Sequence, residues 1–258
     1  MATGMTPPNG LGPLAWAAFF GRWKFNDNEV RYLAGEPWGV VESQPPAVGL
    51  AVSNRRVQDG VLEVRVALAS IESGKHQGAG VVIGYASPNE RYVYAQLAAG
   101  SSAYSIREFL PEHGWKPLAA AGAKSNLQPN RAYEIVVSVR GQKIRLDVDG
   151  VRIIEHIDSA PLPGYQIALI AAGEAECVLT DLAVNAERPR VFVAMQFGEP
   201  FDKIYSEVIR PESEKLNLQV VRIGELARPG IIFEDIRRQI AESKVVIAKI
   251  TAPNQNVF

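Results

Sequence analysis

Four aromatic residues carry the first chemistry that the chain offers. Tyr92, Tyr94, Tyr104 and Trp115 fall on or beside alternating segments, and flat, amphipathic rings of this kind can take up a sugar. The same rings are the usual filling of a β-sandwich core, so a glycan platform and a packed interior are both open to them. Hydrolysis of a glycan would need two carboxylates flanking the scissile bond. No close acidic pair stands on a strand: Glu63, Asp147 and Asp149 fit solvated strand faces and a turn. His76, His113 and His156 lie in separate segments without metal-ligand spacing, which indicates neither a zinc site nor a catalytic set. The one cysteine, Cys177, has no partner for an internal disulfide and sits in an alternating stretch, as a buried, inert thiol would. That cysteine usage fits the cytoplasm. No residue pattern calls for a cofactor.

The 258 residues are 47% hydrophobic and 21% charged, with a net charge of −1. A near-neutral chain with scattered Lys and Arg has no basic groove to offer, so nucleic acid and anionic membrane are not expected partners. The apolar segment 13–20 lacks a basic leader and is too short to span a bilayer; it is expected to be the first structural element.

The elements that must position these residues alternate with period two from about Trp23 to Val184. Leu62 to Leu68 places apolar residues on one face and Glu63 and Arg65 on the other. Gly80 to Tyr85 is denser and suits a strand covered on both faces. Tyr92–Leu97, Tyr104–Phe109, Tyr133–Val139 and Lys143–Val148 follow at short spacing, and Asp149-Gly150 leads into Val151–Ile154. Asp-Gly between alternating runs marks a hairpin, and strands at this spacing build an antiparallel sandwich or barrel.

The order of these pieces resembles the concanavalin A-like lectin/glucanase superfamily, including its laminin-G-like members. The resemblance rests on Asp59-Gly60, Gly78 to Val82, Asn89 to Tyr94, Leu127-Gln128, Val148 to Gly150 and Gly164 to Leu169. It implies an all-β jelly-roll sandwich over 14–186 that binds glycans, hydrolyses them or mediates contacts.

After a short linker, Asn185 to Pro189, the pattern changes. Arg190 to Met195 is a nearly continuous apolar run, the mark of a strand covered on both faces. Phe201, Ile204, Tyr205, Val208 and Ile209 fall at helical spacing, with Pro211 expected to end or kink that helix. Leu218 to Ile223 is a second strand. Ile232, Ile236 and Ile240, with Phe233, make the inner face of a second helix, and Val245 to Ile250 is the third strand. Alternation of this kind predicts a parallel sheet, and such sheets bind ligands outside the carboxyl ends of their strands. The loops there are 195–198, 224–230 and 251–256. Neither a G-x-G-x-x-G nor a Walker motif occurs in them. Arg222 and Arg228 are suited to a phosphate, though isolated arginines are usually surface charges. Glu234 and Asp235 fit a solvated helix face.

This half resembles the nucleoside 2-deoxyribosyltransferase-like group, related in fold to Toll/interleukin-1 receptor (TIR) domains. The matching residues are Val191 to Phe197, Ile236 to Ile240, and Val246 to Thr251 leading to Pro253–Phe258. The resemblance implies a partial α/β parallel-sheet (flavodoxin-like or TIR-like) domain over 190–258 that takes a nucleoside, nucleotide or NAD. Candidate contacts are Met195, Gln196, Phe197, Arg228, Lys249, Thr251, Asn254 and Asn256. Lys249 stands where the family carries a carboxylate, and the chain given stops at Phe258, before the family's Tyr-Glu-Leu-Gly segment with its glutamate. The expectation is a binding or sensing protein without catalysis in the chain as given. The alternatives are a fragment of an N-glycoside-cleaving enzyme of the deoxyribosyltransferase or NAD glycohydrolase type, or a carbohydrate-active enzyme centred on the sandwich. Three parallel strands would leave a sheet edge and an apolar face uncovered, to be completed by a second copy, a partner or further chain.

Overall fold

In the computed structural model of the chain, the residues described are 14–37, 47–70, 77–160, 162, 164–222 and 232–249. Fifteen strands of the first part are β1 (Trp16–Phe20), β2 (Arg22–Phe25), β3 (Glu29–Ala34), β4 (Glu36–Pro37), β5 (Ala47–Arg56), β6 (Asp59–Leu68), β7 (Gly78–Tyr85), β8 (Tyr92–Ala98), β9 (Tyr104–Leu110), β10 (Gly114–Ala121), β11 (Ala132–Arg140), β12 (Lys143–Val148), β13 (Val151–Ile157), β14 (Gln166–Ala172) and β15 (Cys177–Glu187). They form two antiparallel sheets. The first runs β1-β5-β14-β7-β8-β9-β10, with the short β4 paired to β5; the second runs β13-β12-β11-β6-β15-β3-β2.

Alternation decides what lies between them. On β6, Leu62, Val64, Val66 and Leu68 enter the inter-sheet core, where they meet Tyr133, Ile135, Val137 and Val139 of β11 and Ala79, Val81 and Ile83 of β7. Each large aliphatic side chain fully buried there contributes roughly 1.5–3 kcal/mol. Glu63 and Arg65, at the intervening positions of β6, are exposed. The first sheet is apolar on its outer face as well: Phe20, Leu50, Val82, Ala168 and Ile170 form a second buried cluster with Tyr85, Tyr92, Tyr94 and Phe109. Residues Gly78–Tyr85 are accordingly buried throughout, as a strand covered on both faces should be.

The linker expected at 185–189 is mostly strand. Asn185, Ala186 and Glu187 pair with Val61, Gly60 and Asp59, because β6 offers a free edge for their backbone groups to satisfy. The second part then begins at β16 (Arg190–Ala194), which pairs in parallel with β17 (Gln219–Arg222) on one side and β18 (Val245–Ala248) on the other. Between β16 and β17, α1 (Phe201–Ile204), a π-helical segment (Tyr205–Ile209) and α2 (Arg210–Lys215) run on without interruption. Pro211 does not end this helix: it sits in the first turn of α2, after the wide π turn has opened the hydrogen-bond ladder that its missing N–H would break.

The third helix, α3 (Ile232–Ala241), departs from expectation in the face it buries. Phe233 is 69% exposed and Ile240 47%, while Gln239, Ala241, Glu242 and Ser243 are buried. With Val245 and Val246 also exposed on β18, apolar surface of this small sheet stays uncovered among the described residues.

The burial of the α3 terminus comes from its contact with the sandwich. At the β11–β12 turn, Gln142 N donates to Ala241 O at 3.0 Å. Glu242 accepts from Lys143 Nζ at 3.2 Å and from Arg190 at 3.1 Å. Gly141 has φ +59°, and a Cβ there would fall 2.8 Å from Ala241 O, Glu242 C and Ser243 N, so only glycine fits. Its amide donates to the buried Asp59 carboxylate at 3.1 Å. Beside it, Arg140 grips Glu187 through two hydrogen bonds of 2.9 and 2.8 Å.

Two outcomes follow from this packing. A Cβ at Gly80 would lie 2.6 Å from Gln96 Cα and against the Ala95 carbonyl oxygen. Gly80→Ala should therefore cost about 1–3 kcal/mol, read as a lowered urea midpoint at unchanged slope. The Arg140 guanidinium holds the Glu187 carboxyl below its ordinary 4.5; that contribution is complete above the unfolded value and is lost as pH falls through the folded one. Burial shifts Asp59 the opposite way, raising it, so Asp59 favours the fold below its unfolded value and loses this as pH rises. Glu187→Gln should flatten the loss of stability as pH falls below the ordinary 4.5, measured by denaturant titration at each pH; an unchanged acid limb would contradict the assignment to Glu187.

Candidate functional site

The outer face of β8, β9 and β10 gathers the aromatic residues that strand parity sends there. Tyr92, Tyr94 and Gln96 of β8 stand opposite Phe109, Arg107 and Ser105 of β9, and Phe109 stands opposite Trp115 of β10. Directly opposite residues share a face, so these seven side chains form one surface. The rings of Tyr92 and Phe109 stack with centroids 5.0 Å apart, Phe109 and Trp115 are 4.7 Å apart, and Tyr94 meets Trp115 edge-on at 5.3 Å. Tyr85 joins them at 5.8 Å from Tyr92.

Polar atoms are embedded in this apolar setting. Gln96 Nε2 donates to Ser105 Oγ at 3.2 Å, and the Tyr94 hydroxyl is hydrogen-bonded to Arg107. By contrast, Tyr92 Oη, Arg107 Nε and Trp115 Nε1 are shielded from solvent and meet no hydrogen-bond partner. A buried donor left unpaired costs about 1–3 kcal/mol, and three of the ten shielded, unpartnered side-chain N and O atoms among the described residues lie on this face. Burial raises the phenols of Tyr92 and Tyr94 well above the ordinary tyrosine range, the Tyr94 shift being opposed by Arg107. Both hydroxyls therefore stay protonated at neutral pH and remain donors.

Of the aromatic candidates, Tyr92, Tyr94 and Trp115 converge and Tyr104 does not. Tyr104 pairs with the core residue Leu97 and packs against the inter-sheet core, because it has the opposite parity on β9 to Arg107 and Phe109. Tyr92 and Tyr94 are buried and form a floor; Trp115 and Arg107 are half-buried. Arg107, Phe109, Gln96 and Ser105 went unmarked in the sequence, though the parity of 105, 107 and 109 against 92, 94 and 96 is the signal that finds them.

Elsewhere, Asp147 is not on a solvated face. It is buried and paired with Arg145, where a register shift between Leu146 and Asp147 interrupts the pairing with β13. Asp149 does hold its turn, accepting from Glu134 N at 3.0 Å. Glu63 is exposed. Cys177 is fully buried and accepts from Gln77 Nε2 at 3.1 Å; burial pushes its thiol up to about 12, which leaves it protonated and inert. His113 is exposed and His156 half-buried, while His76 lies outside the described residues. Among the described residues no group of three His, Cys, Asp or Glu is placed to hold a metal.

In the second part, Met195 is buried in the small core with Val191, Val193 and Tyr205. Arg222 is not a surface charge. It is buried, bonded to Asp202 at 2.7 Å and to the Gln196 carbonyl, with the Phe197 ring 4.4 Å from its guanidinium. Covered by that ring and by Tyr205, it finds its counter-ion inside the fold. Phe197 is 58% exposed at the rim of a recess of about 650 Å³ that Glu199, Asp202, Tyr205, Glu207 and Arg222 also line. The Lys249 ammonium lies 3.6 Å over the Phe201 ring. Glu234 and Asp235 pair with Arg237 and Arg238 one turn on, at the helix surface. Arg228, Thr251, Asn254 and Asn256 lie outside the described residues.

A scan against protein-family models and a search of curated proteins gave no match. Among solved structures, the carbohydrate-binding module CBM66 from Bacillus subtilis superposes with a TM-score of 0.52 at 16% identity, covering 66% of this chain and 95% of its own. A prokaryotic β-1,3-1,4-glucanase (lichenase) derived from a mouse hindgut metagenome gives 0.47 at 13% identity, covering 67% and 93%. Sheep galectin-11 gives 0.38 at 15% identity, covering 54% and 96%. The sandwich thus shares its fold with that carbohydrate-binding module. The three-stranded parallel sheet that follows it is not identified by these likenesses.

Proposed function

We propose that the sandwich is a carbohydrate-binding module whose ligand lies against the outer face of β8, β9 and β10. One observation carries this reading: the half-buried Trp115 and Arg107 stand together at the rim of a face floored by the rings of Tyr92, Tyr94 and Phe109. Sugar hydroxyls supply acceptors, and the C–H face of a pyranose suits a ring such as Trp115. Support also comes from the fold shared with a module whose name states carbohydrate binding. Among the described strand residues of this face there is no carboxylate pair, so the reading is binding and not hydrolysis.

A second reading, for the α/β part, is a nucleoside or nucleotide ligand beside the carboxyl ends of β16 and β17. The exposed Phe197 ring above the recess favours it, since it offers a stacking surface where open parallel sheets take ligands.

Trp115→Ala should weaken binding on a glycan array and in calorimetry by about tenfold or more, with a cooperative thermal transition retained. Unchanged glycan binding would sink the assignment to this face. For the second reading, calorimetric titration with adenosine, AMP and NAD should give heats that Phe197→Ala abolishes; no heat with any of the three would dispose of it.

A further inference from the structure

Among the described residues the charge on the aromatic face has no counter-ion, and that specifies the ligand further. Arg91 holds Glu108 and Asp158, Arg140 holds Glu187, Arg145 holds Asp147, Arg190 holds Glu242 and Arg222 holds Asp202. These pairs follow the rule that a guanidinium withdrawn from water is kept beside a carboxylate. Arg107 breaks the rule. It is half-buried, its Nε is fully shielded and unpartnered, and among the described residues no carboxylate reaches it. The adjacent acid in the chain, Glu108, stands at the opposite parity of β9 and is taken by Arg91 at 2.7 Å. The protein partner that Arg107 does have, the Tyr94 hydroxyl, is neutral.

The rest of the face points the same way. The groups without partners are Tyr92 Oη, a phenol that remains protonated, and the indole N–H of Trp115, which can only donate. Gln96 and Ser105 satisfy each other. A face whose half-buried rim is the Arg107 cation beside the Trp115 ring, with no carboxylate among its described residues, is matched by a ligand that is negatively charged. We infer that the module selects acidic sugars, with a carboxylate or sulfate group of the glycan meeting Arg107 while the sugar ring covers Trp115. This rests on the carbohydrate-binding reading above and adds the charge of the ligand.

Matched pairs of probes test it: oligogalacturonate against its methyl ester for the carboxylate, and dextran sulfate against dextran for the sulfate. Calorimetry of the full chain at low ionic strength should show the charged member of at least one pair bound about tenfold or more tighter than the neutral member. The preference should shrink with added salt. Arg107→Gln should bring the two members to within about twofold, and Arg107→Lys should restore part of the difference. Which pair discriminates identifies the anion. The comparison within wild type needs no variant, so a fold-disrupting substitution does not blunt it. If charged and neutral members bind alike, or if a glycan array retains only neutral sugars, the inference falls and the carbohydrate-binding reading stands. If the array and all four probes give no binding, both fall.

Discussion

The structure depends on one constraint: the first sheet has no polar face. Its inward residues, such as Ala79, Val81 and Ile83, fill the space between the sheets, and its outward residues, such as Leu50, Val82 and Ile170, are equally apolar and equally withdrawn from water. An antiparallel sheet commonly resolves this by turning polar residues to solvent, as β6 of the second sheet does with Glu63 and Arg65. The first sheet instead confines its outward polar groups largely to β8 and β9, next to a run of rings. That concentration is why the proposed recognition face falls there and not on the opposite sheet.

Several half-buried arginines of the fold, Arg91, Arg140, Arg145 and Arg190, are each held beside a carboxylate. The Arg91 pairs tie β8's leading loop to β9 and to the chain after β13, and the Glu242 pairs tie α3 to both β12 and β16. Such pairs contribute little net stability once desolvation is counted, but they are costly to break one partner at a time. They therefore fix which surfaces meet. Against that background, a half-buried arginine with no acid among the described residues is informative in a way that one more surface arginine would not be.

Much of this was legible in the chain. Alternation at Leu62–Leu68 and Tyr133–Val139, the Asp149-Gly150 turn and the dense run at Gly80–Tyr85 are local patterns, and each became the element expected. The switch to a parallel sheet at Arg190 was equally local. What escaped depended on long-range register. Whether Tyr104 or Arg107 shares a face with Tyr92 is decided by the pairing of β8 with β9, which no window of sequence contains. Asp147 keeps the outward parity of its strand but is covered by the Arg145 it binds, which no local pattern shows. Periodicity alone points the apolar residues of α3 inward, yet the contact that sets its burial is Glu242 reaching Lys143 across the chain. Pro211, expected to end or kink its helix, is carried within it because the π turn that accommodates it leaves no mark in residue types.

The joint at Gly141 carries a consequence of a different sort. Because a single methyl group would not fit between that turn and the end of α3, the two parts are keyed to each other and are not beads on a string. A graft of the sandwich onto another protein would leave Lys143 without Glu242, and a graft of the α/β part would strip the same carboxylate of one of its two cations. The natural unit of portability is the keyed pair, whatever the sequence boundary at Arg188 and Pro189 suggests.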